Sequence, residues 1–201
     1  MKREGLRSRL RGSEVGLGRK GGFNPCRDFD VIKAPERLRA TRAAVKLARM
    51  AEILFYHLER ASLESTLPGL LEKTLERGWK AVVRASSRER VAALDAHLWT
   101  FREDSFLPHA SGGEASFAAL QPIWLTDRTD APNGADVLFL VDGAAVDVAE
   151  TGRYARAVVI FDGADESAVA AARDAWKSVR DAGLAATYWK QSEGGRWEKQ
   201  A

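Results

Sequence analysis

Cysteine and histidine are scarce in this sequence, which has one cysteine and three histidines in 201 residues. The single cysteine, Cys26, excludes a disulfide bond within the chain. His57 and His97 have no cysteine or second histidine at the spacing of zinc ligands, so we expect no metal site. A chain without disulfides is typical of the reducing cytoplasm, where we expect to find this protein.

Long hydrophobic runs are also lacking. The longest, VLFLV and AVVIF, have the length of a buried strand and fall far short of the roughly 20 apolar residues that cross a bilayer. The N-terminal part of the sequence contains no continuous apolar core of the kind found in secretory signals. The sequence therefore predicts neither a membrane span nor a signal peptide, in agreement with a cytoplasmic location.

Motifs for nucleotide binding and hydrolysis are missing as well. Neither G-x-x-x-x-G-K-[ST] nor G-x-G-x-x-G follows a predicted strand. Asp104, Ser105 and His109 offer a nucleophile with a base, but the serine lacks a G-x-S-x-G turn and one loop rarely holds a whole triad. The acidic loop 162–166 suits Mg²⁺, yet Asp165 is better explained as the N-cap of the following helix. We therefore expect no catalytic residue and no cofactor.

Charge divides the chain into two parts. Residues 1–49 carry 14 Lys and Arg against 5 Asp and Glu, whereas residues 50–201 carry 17 against 23. The first part has many glycines and little apolar periodicity, so we predict a disordered basic leader. Such a leader suits contact with nucleic acid, but a translation start placed upstream of Met50 explains it more simply. Residues 50–201 are long enough for one well-buried domain.

Strand and helix patterns alternate from Met50 onward. Short apolar segments predict strands, and apolar residues spaced by three and four predict helices. The predicted strands are 51–58, 79–85, PIWLT, 137–141, 156–162 and 185–191. This alternation predicts an α/β fold, a mostly parallel sheet with helices on both faces, which is Rossmann-like but lacks a phosphate-binding loop.

The predicted helices carry recognisable start signals. The first helix covers 63–78 and ends at a glycine. Ser86 or Ser87 is the expected N-cap of the second helix, RERVAALDAHLW, whose inner face carries Val91, Leu94 and Leu98. The region 100–120 that follows is rich in loop residues.

A further predicted helix, which follows the Asp165 cap and stops at Gly183, contains the stretch AARDAWKSVRDAG at 171–183 and groups cations around an indole. A helical projection places five residues along one side, in the order Val169, Trp176, Arg180, Arg173 and Lys177. Asp174 and Asp181 lie on the far side, so charges are segregated by sign instead of being paired along the helix. A separate stripe of small residues suits packing on a sheet, namely Ala168, Ala172, Ala175, Val179 and Ala182. A solvated surface and a binding site for an anionic ligand both fit this pattern.

Seven segments of the chain, in this order and spacing, resemble one known family. They are FYHL, LLEKTLERGWKAVV, SSRERVAALDAHLWTFREDSFLPH, QPIWLT, APNGADVLFLVDGA, FDGADESAVAAARDAWKSVRDAG and TYWKQSEGGRWEK. Together they resemble the chi subunit of bacterial DNA polymerase III holoenzyme, over residues 51–197. LDAHLWTFREDSFLPH and QPIWLT are the most specific, since a generic α/β domain rarely contains both. Residues 1–49 are not part of this pattern.

The resemblance implies a non-catalytic adaptor in DNA replication. Chi subunits have an α/β fold related to nucleotide-binding and helicase domains without the phosphate-binding motif. They bind the psi subunit, which tethers them to the clamp loader, and the C-terminal tail of single-stranded-DNA-binding protein. That tail is acidic and ends in Pro-Phe with a carboxylate.

The family's tail site falls on the cationic helix at 171–183. The resemblance implies that Arg173 and Lys177 meet the carboxylates of the tail and that Trp176 helps to wall a pocket for its terminal Phe. We expect Val169 to supply the rest of this apolar wall. Val169 stands where some relatives carry a basic residue, so affinity is expected to depend more on the helix cations, including Arg180.

A separate apolar surface is expected to bind psi. Its candidate residues are Phe106, Leu107, Pro108 and Trp124, for which core packing is the plain alternative. For the protein as a whole, direct binding of single-stranded nucleic acid to the Trp176 side of the helix is the alternative function. The net charge of −6 over residues 50–201 argues against that alternative.

Overall fold

The structure, a computed structural model, describes residues 52–113, 115–192 and 195–200. The leader predicted for residues 1–49 lies outside these ranges. The strands are β1 (Glu52–Leu58), β2 (Ala81–Arg84), β3 (His109–Ser111), β4 (Ile123–Thr126), β5 (Val137–Leu140), β6 (Arg156–Asp162), β7 (Ala185–Gln191) and β8 (Trp197–Lys199). The helices are α1 (Leu63–Glu76), α2 (Arg88–Thr100), α3 (Ala115–Leu120), α4 (Val148–Thr151) and α5 (Glu166–Asp181).

All these strands form one sheet in the order β3-β4-β2-β5-β6-β1-β7-β8. Every pairing is parallel except that of β7 with β8. β1 lies between β6 and β7, so that Phe55 is opposite Val159 on one side and Tyr188 on the other. Parallel neighbours need crossover connections, which explains the alternation of strand and helix along the chain. The predicted α/β fold with a mostly parallel sheet is confirmed.

Helices cover both faces of the sheet, and each face has its own hydrophobic cluster. α1 and α2 pack on one face, where α1 contributes Leu67. α5 packs on the other face through Ala172 and Val179. Because successive strand residues point to opposite faces, Leu54 of β1 belongs to the first cluster and Phe55 to the second. We call these two sides of the sheet the α1 face and the α5 face.

The second helix begins and packs as its sequence predicts. Ser87 Oγ accepts a hydrogen bond from the backbone N–H of Arg90 at 3.3 Å, so Ser87 is the N-cap. The predicted inner residues are all buried, namely Val91, Leu94 and Leu98. None of the helices in the described ranges is long and apolar enough to span a membrane.

Several short elements differ from the sequence prediction. The region 100–120, predicted as loop, contains β3 and α3, and neither α4 nor β8 was predicted. β3 has three residues and lies at the edge of the sheet, and a strand of this length is too short to show an alternating pattern. The strand predicted at 79–85 begins at Ala81 and ends at Arg84.

Candidate functional site

The N-terminus of α5 is fixed by Asp165. Its Oδ1 accepts the Ser167 hydroxyl at 2.6 Å and the backbone N–H groups of Ser167 and Ala168 at 2.8 and 3.2 Å. These hydrogen bonds, that of the Ser167 hydroxyl above all, lower the pKa of the Asp165 carboxyl. The capping role predicted for Asp165 is confirmed, and it sets where the cationic residues of α5 lie along the strands.

Small residues form the inner side of α5. Ala172 and Val179 are buried, and Ala168 and Ala175 are half-buried against the same cluster. Ala182, predicted to share this stripe, is exposed because it follows the last helical residue as the C-cap. The short side chains allow α5 to lie close to the strands beneath it, which brings the longer side chains at its edge beside those strands.

A pocket of about 330 Å³ lies between α5 and the sheet. Its lining comes from α5 and from three strands and comprises Val169, Ala172, Arg173, Trp176, Phe55, His57, Phe161 and Tyr188. Most of these side chains are apolar, and Arg173 adds a positive charge. Such a lining suits a ligand that combines an apolar group with a negative charge. We call it the α5 pocket.

Trp176 forms one wall of the α5 pocket and is half-buried. Its ring meets Phe55 at 5.3 Å between centroids with an interplanar angle of 69°, and Tyr188 at 6.1 Å and 85°. Edge-to-face contacts of this kind contribute about 0.5–1.5 kcal/mol beyond burial. They hold the indole in one orientation, so the wall is formed before any ligand binds.

His57 and Tyr188 form the polar part of the pocket lining. His57 Nδ1 and Tyr188 Oη are 2.6 Å apart, and the imidazole stacks on Phe161 with centroids 5.1 Å apart. A Cβ atom at position 163 would collide with the imidazole, so Gly163 leaves room for it. Burial is the main cause that lowers the pKa of His57, and burial also raises the pKa of Tyr188.

The three cations predicted on this helix are exposed, namely Arg173, Lys177 and Arg180. The ion pairs formed within the described ranges involve none of them. Arg173 lines the α5 pocket, whereas Lys177 and Arg180 lie outside its lining. The structure thus places one cation in the pocket wall and leaves two on the exposed side of α5.

Four strand residues of the α5 pocket were not identified from the sequence: Phe55, His57, Phe161 and Tyr188. The two-residue period of a strand puts Phe55 and His57 on one face of β1, which was the available signal. Tyr188 lies opposite Phe55 because β7 pairs with β1, and that pairing is a property of the fold.

The four residues predicted to bind psi have different environments. Phe106 is 65% exposed and Pro108 is half-buried, but Leu107 and Trp124 are buried with 1% and 5% exposure. The prediction is therefore wrong for Leu107 and Trp124. Leu107 packs into the cluster of the α1 face, and Trp124 packs into the α5-face cluster from β4, which has β2 and β3 on its two sides.

An exposed aromatic pair remains at this end of the sheet. Trp99 of α2 is 55% exposed, and its ring centroid lies 5.6 Å from that of Phe106. The same indole covers His109, with centroids 4.8 Å apart. Large aromatic side chains that contact each other at the surface are typical of protein interaction sites. We call this pair the Trp99–Phe106 patch.

Asp104, Ser105 and His109 do not form a catalytic triad. Asp104 Oδ1 pairs with Arg102 Nε at 2.8 Å, and the Ser105 hydroxyl donates to Glu72 Oε1 at 2.9 Å. The buried His109 ring contacts two backbone oxygens, at 2.6 and 3.2 Å. Each of these side chains is therefore engaged in a separate structural contact. Within the described ranges, no group of three or more His, Cys, Asp or Glu is placed to hold a metal ion.

Two comparisons with known proteins point to the same family. The family model described as DNA polymerase III chi subunit, HolC, matches residues 50–187, which is more than half of the chain. A relative named probable DNA polymerase III subunit chi, from Rickettsia prowazekii (strain Madrid E), is 29% identical over 92 residues. That alignment covers 46% of this chain and 55% of the relative, so the chain spans about half the length of the curated relative that it matches. On the extent of the family match, the chain belongs to the DNA polymerase III chi subunit family.

Proposed function

We propose that this protein is a non-catalytic adaptor of the replicative polymerase, which links the clamp loader, through psi, to the tail of single-stranded-DNA-binding protein. One observation carries the proposal: an apolar pocket walled by Trp176 has Arg173 among its lining residues. Membership of the chi family supports a role as an accessory subunit of DNA polymerase III.

The α5 pocket fits the chemistry of the tail's last residue. The terminal Phe brings an aromatic ring and a carboxylate on the same residue, and the pocket offers apolar walls beside a cation. Arg173 is the best candidate for the carboxylate because a planar guanidinium can bind both oxygens at once. Lys177 and Arg180 then attract the acidic residues that precede the Phe, since both are exposed and outside the ion pairs formed within the described chain.

The energies of these contacts are consistent with modest affinity. Burial of one Phe side chain contributes about 1.5–3 kcal/mol. Each charge-assisted hydrogen bond contributes about 1.5–3 kcal/mol. A micromolar complex needs about 8 kcal/mol, and ordering of the tail reduces the sum. One Phe and two or three ionic contacts reach that range, so binding should be weak enough to depend strongly on salt.

The Trp99–Phe106 patch, with Pro108 beside it, is the proposed surface for psi. It belongs to the β3 end of the sheet, where α2 contributes Trp99, whereas the α5 pocket involves β6, β1 and β7. β4, β2 and β5 lie between these two parts of the sheet. This separation lets psi and the tail bind at the same time, as an adaptor requires.

The side of α5 that carries Trp176 is less suited to the alternative ligand, single-stranded nucleic acid. The net charge of −6 over residues 50–201 disfavours a long polyanion.

Calorimetric titration with synthetic tail peptides tests the proposal. We expect saturable binding of the natural tail, a large loss when its terminal Phe is deleted, and a smaller loss when the terminal carboxylate is amidated. A thymidine oligonucleotide of similar charge serves as the control ligand. Equal binding of the natural tail and the tail without Phe would refute a pocket for the Phe ring, and competition by the oligonucleotide would favour the alternative.

A further inference from the structure

A second cleft, of about 600 Å³, lies on the α1 face, on the opposite side of the sheet from the α5 pocket. Leu54 and Tyr56 of β1 and Val158 of β6 form its floor, α1 borders it on one side, and β7 and β8 border it on the other. Alternation along β1 directs Leu54 and Tyr56 into this cleft and Phe55 and His57 into the α5 pocket. The sheet therefore separates the two sites. We call the second one the α1 cleft.

Aromatic side chains line much of the α1 cleft, namely Tyr56, Trp79, Trp189 and Trp197. The rings of Tyr56 and Trp189 are nearly parallel, with centroids 6.2 Å apart and an angle of 10°. Trp197 meets Tyr56 edge-on at 4.8 Å, and both remain half-buried. Partly accessible rings of this kind offer surfaces on which a planar ligand can stack.

Three cations line the same cleft, with Glu52 as the one lining carboxylate, so the lining has an excess of positive charge. The guanidinium carbons of Arg77 and Arg156 lie 5.9 and 5.6 Å from the centroid of the Trp79 ring. Arg156 pairs with Glu52 at 2.5 Å. Lys73 and Arg77 are exposed and take part in none of the ion pairs found in the described part of the chain. Both are thus available to an anion.

The polar groups that line the α1 cleft are mainly donors. Trp189 Nε1 and Arg156 Nε are buried and have no hydrogen-bond partner among the described residues. Both atoms can only donate. The strongest acceptors in the lining are already engaged, because Glu52 pairs with Arg156 and Gln191 Oε1 accepts two backbone N–H groups at 3.3 and 3.1 Å. A complementary ligand must therefore be rich in acceptors.

We propose that the α1 cleft binds a nucleotide, with its phosphate toward Lys73 and Arg77 and its base against the aromatic lining. A nucleotide combines an acceptor-rich anion with a planar ring, and clefts of about 300–1,000 Å³ hold ligands of this size. A peptide fits less well, because its backbone N–H groups need acceptors and the strongest acceptors of the cleft, Glu52 and Gln191 Oε1, are engaged. The same chemistry is presented by a free nucleotide and by one nucleotide of a single strand. The α1 cleft lies on the opposite side of the sheet from the α5 pocket, where tail binding is proposed, so this proposal does not rest on the proposed function.

Calorimetric titration of the full-length protein with thymidine monophosphate, thymidine and an eight-residue thymidine oligonucleotide tests this proposal. The test variant is the double substitution Lys73→Ala and Arg77→Ala, and the matched control removes two cations from α5, Arg173→Ala with Lys177→Ala. All four residues are exposed, so both variants should fold, which circular dichroism checks. We expect one thymidine monophosphate per protein, about tenfold weaker binding in the test variant, and unchanged binding in the control. Thymidine should bind more weakly than its phosphate.

The two phosphorylated ligands distinguish a site for a free nucleotide from a site for one nucleotide of a single strand. Equal affinity for the monophosphate and the oligonucleotide supports a free nucleotide, and much tighter binding of the oligonucleotide supports a single strand. The proposal is overturned by the absence of saturable binding at millimolar concentration, by equal affinity of the wild type and the test variant, or by loss of binding in the α5 control. It is also overturned if the test variant loses affinity for the acidic tail peptide but for neither of the phosphorylated ligands.

Discussion

Trp176 of α5 and Phe55 of β1 are in edge-to-face contact, with ring centroids 5.3 Å apart. This contact joins the helix that carries Arg173 to the strand that carries His57, and both residues line the α5 pocket. Together with the packing of Ala172 and Val179, this aromatic pair helps to set the position of the cation relative to the apolar walls.

Arg173→Ala should weaken binding of the tail peptide by about 1.5–3 kcal/mol, which is roughly tenfold or more. The reason is loss of the proposed two-point contact between the guanidinium and the terminal carboxylate. Lys177→Ala should have a smaller effect and should mainly reduce the dependence on salt, because an exposed ammonium acts through screened attraction. Calorimetry at two salt concentrations measures both effects.

Asp174→Ala is the matched control for these two variants. Asp174 is exposed on the same helix but outside the pocket lining, so its loss should change affinity little. All three substitutions should leave the melting temperature nearly unchanged. If Arg173→Ala binds the tail as well as the wild type does, the proposed role of the α5 pocket is wrong.

Phe106→Ser should abolish psi binding without loss of stability or of tail binding, because Phe106 is 65% exposed and lies away from the α5 pocket. Leu107→Ala is the informative contrast. Leu107 is 1% exposed, and removal of a buried leucine side chain typically costs about 2–5 kcal/mol. Pull-down with psi and thermal melts separate the two effects. Retention of psi by a folded Phe106→Ser protein would exclude the patch.

The stability of the protein should fall as the pH drops below about 6.5, in part because of His57. Burial lowers the pKa of His57 from its usual 6.5; Lys190 and Arg173 act in the same direction and Glu59 and Asp162 in the opposite one. His57 therefore binds a proton at higher pH in the unfolded chain than in the folded chain. The contribution of His57 to stability is lost as the pH falls from about 6.5 through the pKa that His57 has in the folded protein.

Thermal melts at about pH 7.5 and 5.5 compare the wild type with His57→Asn. Asparagine keeps a polar atom near Tyr188 Oη but does not titrate in this range. We expect the wild type to lose more stability than the variant between the two pH values. An equal loss in both proteins would show that other groups cause the acid sensitivity.

Glu150→Ala should destabilise the protein by about 3–5 kcal/mol, because it leaves a buried guanidinium unpaired. Arg84 and Glu150 form a two-point ion pair at 2.7 and 2.5 Å, with side-chain exposures of 7% and 8%. Glu64→Ala removes a comparable but more exposed pair, that of Glu64 with Arg90 at 3.1 Å, and should cost no more than about 1 kcal/mol. Denaturant unfolding provides both values, and equal costs would contradict the assigned role of burial.

A chain that begins at Met50 should retain the fold and the tail binding of the full-length protein. The family match begins at residue 50, and residues 1–49 have a different charge balance from the rest. Thermal melts and tail titrations of the two lengths test this expectation. A loss of several degrees or of most of the affinity would show that residues 1–49 contribute to structure or function.

Prediction from the sequence succeeded where the physical signal is local. Asp165 was identified as a helix cap, and Ser87 as one of two candidates with Ser86, because a cap depends on a few neighbouring residues. Hydrogen bonds confirm Asp165 and select Ser87. Prediction failed for Leu107 and Trp124, which looked like candidates for a surface and are buried. The sequence around an apolar residue does not show whether other parts of the chain cover its side chain. Burial is decided by packing between segments that are distant in the sequence.

The sequence by itself determined the α/β class, the extent of the long strands and helices, and the segregation of Arg173 and Lys177 from the acidic side of α5. These features follow from the periodicity of apolar and charged residues, which is visible among residues close to one another in the sequence. Only the tertiary structure decided that His57 and Tyr188, which are 131 residues apart, meet beside α5. The strand order β6-β1-β7 brings them together, and that order is set by burial of whole strands and helices rather than by any local pattern.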